Sequence, residues 1–150
     1  MIRWLLNFLP HRTIMRGEER YLTRWYLLGA PRTDKQGKAK RHWLPFNLFL
    51  HCFHASDEPP AHNHPWDWAR SLILKGAYDE VRLVPVEQDS PPWTGQVYRR
   101  YRPGSINRID HDTFHYVTLL TPEVWTLFCV GRNVSGWGFI TPEGEVEEVK

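Results

Sequence analysis

Turn signals recur along this chain at intervals too short for helices, and that punctuation restricts the fold more than any other feature. Pro59-Pro60, Gly76, Pro91-Pro92, Pro103-Gly104, Pro122 and Pro142-Glu143-Gly144 all fall between apolar segments. Those segments are Tyr21 to Leu28, Trp43 to His54, Ser71 to Lys75, Tyr78 to Val86, Gln96 to Arg102, Ile106 to Ile109, Thr113 to Leu120, Val124 to Val130, Trp137 to Thr141 and Glu145 to Val149. Several alternate with the period of two that strands impose, and helical periodicity is almost absent. Roughly nine short strands with regular turns predict an all-β sandwich or barrel. Thr113 to Leu120 and Val124 to Val130 read as the clearest hairpin, with a second around Pro142-Glu143-Gly144. Within Tyr78 to Val86, Glu80 and Arg82 are expected on the solvent side and Val81 and Leu83 on the other.

At 150 residues the chain is read as one domain, 1–150, able to bury a real core. Its eight Trp, six Tyr and seven Phe supply much of that core. A net charge of +2 gives no field for nucleic acid, which is not expected as a partner. Cys52 and Cys129 each lie in apolar runs and read as buried free thiols, which suits a reducing, cytoplasmic location. The apolar stretch Met1 to Pro10 falls far short of the ~20 residues that span a membrane. Pro10-His11-Arg12 follows where a signal peptide would have small residues, so this stretch is expected to be a short helix or edge segment packed on the domain. Arg32 to Arg41 and Glu87 to Gly95 read as surface loops, and Glu143 to Glu148 as a solvated terminal hairpin.

Chemistry concentrates in Ala61-His62-Asn63-His64-Pro65-Trp66-Asp67. Two histidines one residue apart point to the same side of an extended segment and can reach one metal ion. His115 lies in an alternating strand and shares a face with Val117 and Leu119. It is the expected third ligand, because a histidine among inward-facing residues needs a ligand or a partner. His111, between Asp110 and Asp112, reads as a rim or loop residue and is the weaker candidate. Asp67 is expected as a fourth ligand, as a carboxylate orienting a ligand imidazole, or as a turn former. His51 and His54 remain open between pocket lining and ordinary hydrogen bonding. Trp66, Trp68, Tyr78, Tyr116 and Trp125 are candidates to line a cavity, and Arg70, Arg99 and Arg108 to meet an anionic substrate.

At these residues the chain resembles the cupin superfamily of double-stranded β-helix (jelly-roll) barrels. Their first motif has the form G-x5-H-x-H-x3,4-E-x6-G, which His62, His64 and Gly76 match. Pro103-Gly104 and His115 resemble the second motif. The motif Glu falls at Trp68 or Ala69, which bind no metal, and Ser56 stands where the leading Gly belongs. The likeness is therefore strongest to cysteine-dioxygenase-like cupins, which hold Fe(II) with three histidines, the third opening a His-x-Val stretch like His115-Tyr116-Val117. The chain is also similar to bacterial and phage cupin-like proteins with a His-Pro-Trp-Asp element and a Trp-Gly-Phe, here His64 to Asp67 and Trp137 to Phe139. The resemblance covers about Trp43 to Phe139 and implies a cupin-type barrel (core about 43–141) with a short N-terminal extension.

It further implies one divalent transition metal, Fe(II) favoured and Zn, Mn or Ni allowed, and dioxygenase-like oxidation of a small molecule. A Zn, Mn or Ni isomerase, lyase or hydrolase is the alternative, as is a non-catalytic small-molecule-binding cupin. Edge strands of small barrels allow pairing into a homodimer.

Overall fold

The computed structural model describes residues 6, 8–29, 45–57, 59–86 and 95–149. The basic stretch Arg32 to Arg41, nearly all of the loop Glu87 to Gly95, and the start of the run from Trp43 lie outside those residues. Among the described residues there are eleven strands, all paired antiparallel: β1 (His11–Arg16), β2 (Glu19–Leu28), β3 (Asn47–Phe53), β4 (Ala69–Lys75), β5 (Tyr78–Val84), β6 (Gly95–Tyr101), β7 (Ile106–Ile109), β8 (Phe114–Leu119), β9 (Val124–Val130), β10 (Trp137–Ile140) and β11 (Val146–Val149). No helix among them is long and apolar enough to cross a membrane. A six-stranded sheet has the order β1-β2-β3-β9-β4-β7, and a three-stranded sheet the order β6-β5-β8. The hairpin β10-β11 joins the smaller sheet through His62, which bridges His115 on β8 and Phe139 on β10. The all-β jelly-roll expectation holds.

Two layers meet over an apolar interior. Phe49, Ala69, Ile109, Phe128 and Val130 form one buried cluster, and Ile73, Tyr78, Tyr101, Val117 and Val124 another. Each fully buried side chain of this size contributes about 1.5–3 kcal/mol relative to exposure. Ala61, Phe114 and Ile140 pack separately with Leu83 and Tyr116, so the smaller sheet is covered on both faces.

Three expectations change. His11–Arg16, which lies outside the expected segments, is a strand on the sheet edge, joined to β2 by the two-residue turn Gly17-Glu18 with Gly17 at φ 58°. The expected β8-β9 hairpin does not form. β8 pairs with β5, whereas β9 inserts between β3 and β4 in the other sheet. The connection Thr121-Pro122-Glu123 crosses between layers and packs on Gly76, whose φ is +80°. A Cβ there would lie 2.3 Å from the Glu123 carbonyl oxygen. The terminal pair β10-β11 forms as expected, with Trp137 opposite Val149.

The third change concerns Glu80, which was expected to face solvent. It is fully buried, and its neighbour Val81 is buried as well, at 6% exposure. With both faces of β5 covered, alternation separates the faces without saying which one is wet.

Candidate metal centre

His62 is fixed through its backbone. Its N–H donates to the His115 carbonyl at 3.0 Å, and its own carbonyl accepts from the His115 N–H at 2.9 Å. Asn63, pointing the other way, clamps the segment: Nδ2 donates to the His111 carbonyl (2.8 Å) and Oδ1 accepts from Gly138 N–H (2.7 Å). Gly138 itself is held close against β11, where a Cβ would lie 2.5 Å from the Glu147 carbonyl oxygen. Alternation then turns His62 and His64 to the same side, where they meet His115 from β8.

The three imidazoles form a near-equilateral triangle, with ring centroids 5.1 Å (62–64), 5.4 Å (62–115) and 5.1 Å (64–115) apart. One nitrogen from each lies within 4.8 Å of the others. His64 Nε2 and His115 Nε2 stand 3.0 Å apart. Metal–nitrogen bonds of ~2.0–2.1 Å place adjacent imidazole nitrogens ~3.0 Å apart at right angles and ~3.4 Å apart in a tetrahedron. The donors therefore fit a single ion capped on one side.

Glu80 sets the tautomer. Its Oε1 lies 2.7 Å from His115 Nδ1. An ionised carboxylate only accepts, so Nδ1 carries a proton and Nε2 points at the other imidazoles. Arg82 Nε donates to Glu80 Oε2 at 2.7 Å and Asn107 Nδ2 to Oε1 at 2.8 Å; Arg82 also donates to Asn107 Oδ1 at 2.5 Å. Burial alone would raise the Glu80 pKa. The bonds from His115, Arg82 and Asn107 outweigh it and hold the carboxyl at about 2. Burial pushes His62 down to about 4 and His64 well below the ordinary imidazole range, the neighbouring His115 adding to the shift in both. His62 and His64 are thus neutral, the form that ligates.

The triangle opens into a cavity of about 510 Å³ whose walls include Trp66, Phe53, Phe128 and Val117. Trp66 stacks on His64 with centroids 5.3 Å apart. Two further polar residues enter from the six-stranded sheet, paired across β2 and β3: Arg24 and His51. Arg24 Nε donates to His51 Nε2 at 2.9 Å, so the His51 proton sits on Nδ1, which is buried and has no partner among the described residues. The Arg24 guanidinium lies over the Phe49 ring, 4.9 Å from its centroid, and forms no ion pair with a carboxylate of the described residues. Burial lowers its pKa, and burial followed by the Arg24 charge takes His51 well below the ordinary value.

The structure thus brings His62, His64 and His115 together and leaves two other candidates apart. His111 turns outward to Asp112, its Nε2 3.3 Å from the carboxylate. Asp67 does not back an imidazole: its Oδ1 accepts from Trp68 N–H (2.9 Å) and Arg132 N–H (2.8 Å), tying the approach to β4 to the loop after β9. The turn role is the one it fills, and the orienting carboxylate is Glu80. Of the aromatic candidates Trp66 and Tyr78 line the cavity; Trp68, Tyr116 and Trp125 do not. Arg70, Arg99 and Arg108 all lie on the exposed surface, and the cavity arginines are Arg12 and Arg24. A single charged residue at an inward position of an apolar strand was the available signal for Arg24.

No family model matches the sequence, and no curated protein matches it. Solved structures do. A cupin-2 domain protein from Rhodospirillum rubrum superposes with a TM-score of 0.62 at 13% identity, over 91% of this chain and 78% of that one. An RmlC-like cupin from Ralstonia eutropha gives 0.54 at 14% identity, over 96% and 74%. HppE, in its Fe(II) form with the alternative substrate (S)-1-HPP, gives 0.54 at 12% identity, over 85% and 57%. The chain spans 46% of the length of the oxalate oxidase structures that it also matches.

Proposed function

We propose that this chain, which has the cupin fold, binds one divalent metal ion through His62, His64 and His115 and is a dioxygenase-like oxidoreductase acting on a small anionic molecule. The observation that carries the reading is the triangle of imidazoles at a cavity wall, with His64 Nε2 and His115 Nε2 3.0 Å apart and Glu80 behind His115. Structural metal sites are closed by protein ligands, whereas three imidazoles on one side leave positions facing the cavity. Iron is favoured because Fe(II) is present on this fold in HppE. Bound there, Fe(II) supplies the one-electron chemistry that dioxygen needs.

The chain's own residues provide the rest. Glu80 holds the His115 proton on Nδ1 and so keeps Nε2 available. Trp66, stacked on His64 and edge-on to Phe128, sets an apolar wall beside the imidazoles. Arg24 supplies a largely buried cation without a carboxylate partner among the described residues, and the His51 Nδ1–H supplies a donor without an acceptor among them. Buried charges are ordinarily paired, so a substrate carboxylate or comparable anion completes this corner. The substrate is then anchored at Arg24 with its reacting end toward the histidines.

Elemental analysis of the purified protein, followed by oxygen uptake on a panel of thiols and small acids, tests the reading. Bound iron with substrate-dependent uptake supports it, and His62→Ala, His64→Ala and His115→Ala should each lose the metal. Zinc without oxygen uptake would move the reaction to Lewis-acid chemistry on the same ligands. Metal retained in all three variants would refute the site.

A further inference from the structure

We infer that the chain carries a second metal site, on the opposite face of the six-stranded sheet, made by Cys52, His54 and Glu123 and suited to Zn(II). Alternation along β3 sends His51 into the cavity and turns Cys52 and His54 the other way. The pairing of Phe53 with Val124 sets Glu123 opposite His54, each one residue beyond the end of its strand. Cys52 Sγ lies 4.0 Å from His54 Nδ1, and that nitrogen lies 3.8 Å from Glu123 Oε1. All three donor atoms fall within 4.8 Å of one another.

Zinc bonds of ~2.3 Å to sulfur and ~2.0–2.2 Å to nitrogen and oxygen put tetrahedral neighbours ~3.6 Å apart (S···N) and ~3.4 Å apart (N···O). These two pairs close by about 0.4 Å to accept the ion, and the third, Sγ to Oε1, starts within 4.8 Å. The outer hydrogen bonds point the donors inward. Thr23 Oγ1 lies 3.0 Å from His54 Nε2, and accepting that proton leaves Nδ1 bare. Trp125 Nε1 donates to Glu123 Oε2 at 3.4 Å, leaving Oε1 toward His54. One thiolate, one carboxylate and a neutral imidazole cancel a dication, which lets the ion sit beside fully buried Cys52. Binding releases the thiol proton to solvent. His54 and Glu123 side chains, 20% and 26% exposed, give the ion access from solvent.

Cobalt(II) is the probe, because a thiolate ligand gives it an intense near-ultraviolet charge-transfer band that imidazole ligands do not. Full-length protein stripped by a chelator and titrated with Co(II) should show this band. The band should vanish in Cys52→Ala and persist in Cys129→Ala and in the double variant His62→Ala, His64→Ala. Where Cys52→Ala fails to fold, His54→Ala and Glu123→Gln, altered at partly exposed positions, should weaken the cobalt titration by at least about 10–100-fold. Absence of the band in the parent protein, a band that follows Cys129, or unchanged affinity in both substitutes would overturn the site.

Discussion

Replacing Glu80 by Gln separates its charge from its shape. The side chain is fully buried, and its carboxyl is held at about 2 against an ordinary value of 4.5. At about 1.4 kcal/mol per pH unit, that gap amounts to ~3 kcal/mol of preference for the charged form in the folded state. The figure sits at the lower edge of the ~3–5 kcal/mol typical for removing one partner of a buried pair. For a chain of this length ~3 kcal/mol lowers Tm by roughly 6–12 °C. The sign follows from the depressed value. The stabilisation is fully present above pH 4.5 and is lost as pH falls toward 2, so the parent protein should weaken across that window and Glu80→Gln should not. Gln also accepts more weakly from His115 Nδ1, and metal affinity should fall about 10–100-fold. Thermal unfolding of the metal-free protein at several pH values, with calorimetric metal titration at pH 7, reads both effects. A variant with parental Tm, parental acid profile and parental affinity would refute the network.

Asp67→Ala should share only the loss of stability with Glu80→Gln: it forfeits two charge-assisted bonds to backbone amides, about 1.5–3 kcal/mol each, and should destabilise the fold while leaving metal affinity intact. His62, pushed down to about 4, takes up a proton more readily when unfolded, so metal-free protein should lose up to about 3 kcal/mol as pH drops from 6.5 to 4, less where solvent screens the ring. In His62→Ala that part of the urea-unfolding pH profile should flatten. Gly76→Ala meets both a φ of +80° and the Glu123 carbonyl oxygen at 2.3 Å, so it should cost more than the ~1–3 kcal/mol of backbone strain alone. Parental stability by chemical denaturation would contradict that packing. Arg24→Gln should leave the bound metal in place yet raise KM for a carboxylate-bearing substrate, and an unchanged KM would remove Arg24 from the substrate's anchor.

What the sequence revealed and what it hid divide along one physical line. Period-two alternation and turn chemistry are local, so the ladder of short strands, the β10-β11 hairpin and the shared direction of His62 and His64 could all be read from the chain. Which strand lies beside which is not local. Thr113 to Leu120 and Val124 to Val130, joined by a short turn, look like a hairpin; the actual crossing depends on β9 finding its place between β3 and β4. The same limit governs the buried charges. An alternating strand announces two faces, and a solvated sheet would put Glu80 and Arg82 in water. Here Tyr78, Glu80 and Val81 are all buried, because a second cluster around Phe114 and Ile140 covers the side that a lone sheet would expose. Polarity then marks function rather than solvent: Glu80 behind His115, and Arg24 beside His51, stand at inward positions that an apolar residue would fill at less cost. A charged residue between apolar neighbours at the core parity of a strand is therefore the better guide to such a site, and the histidine pair shows where on the barrel to look for it.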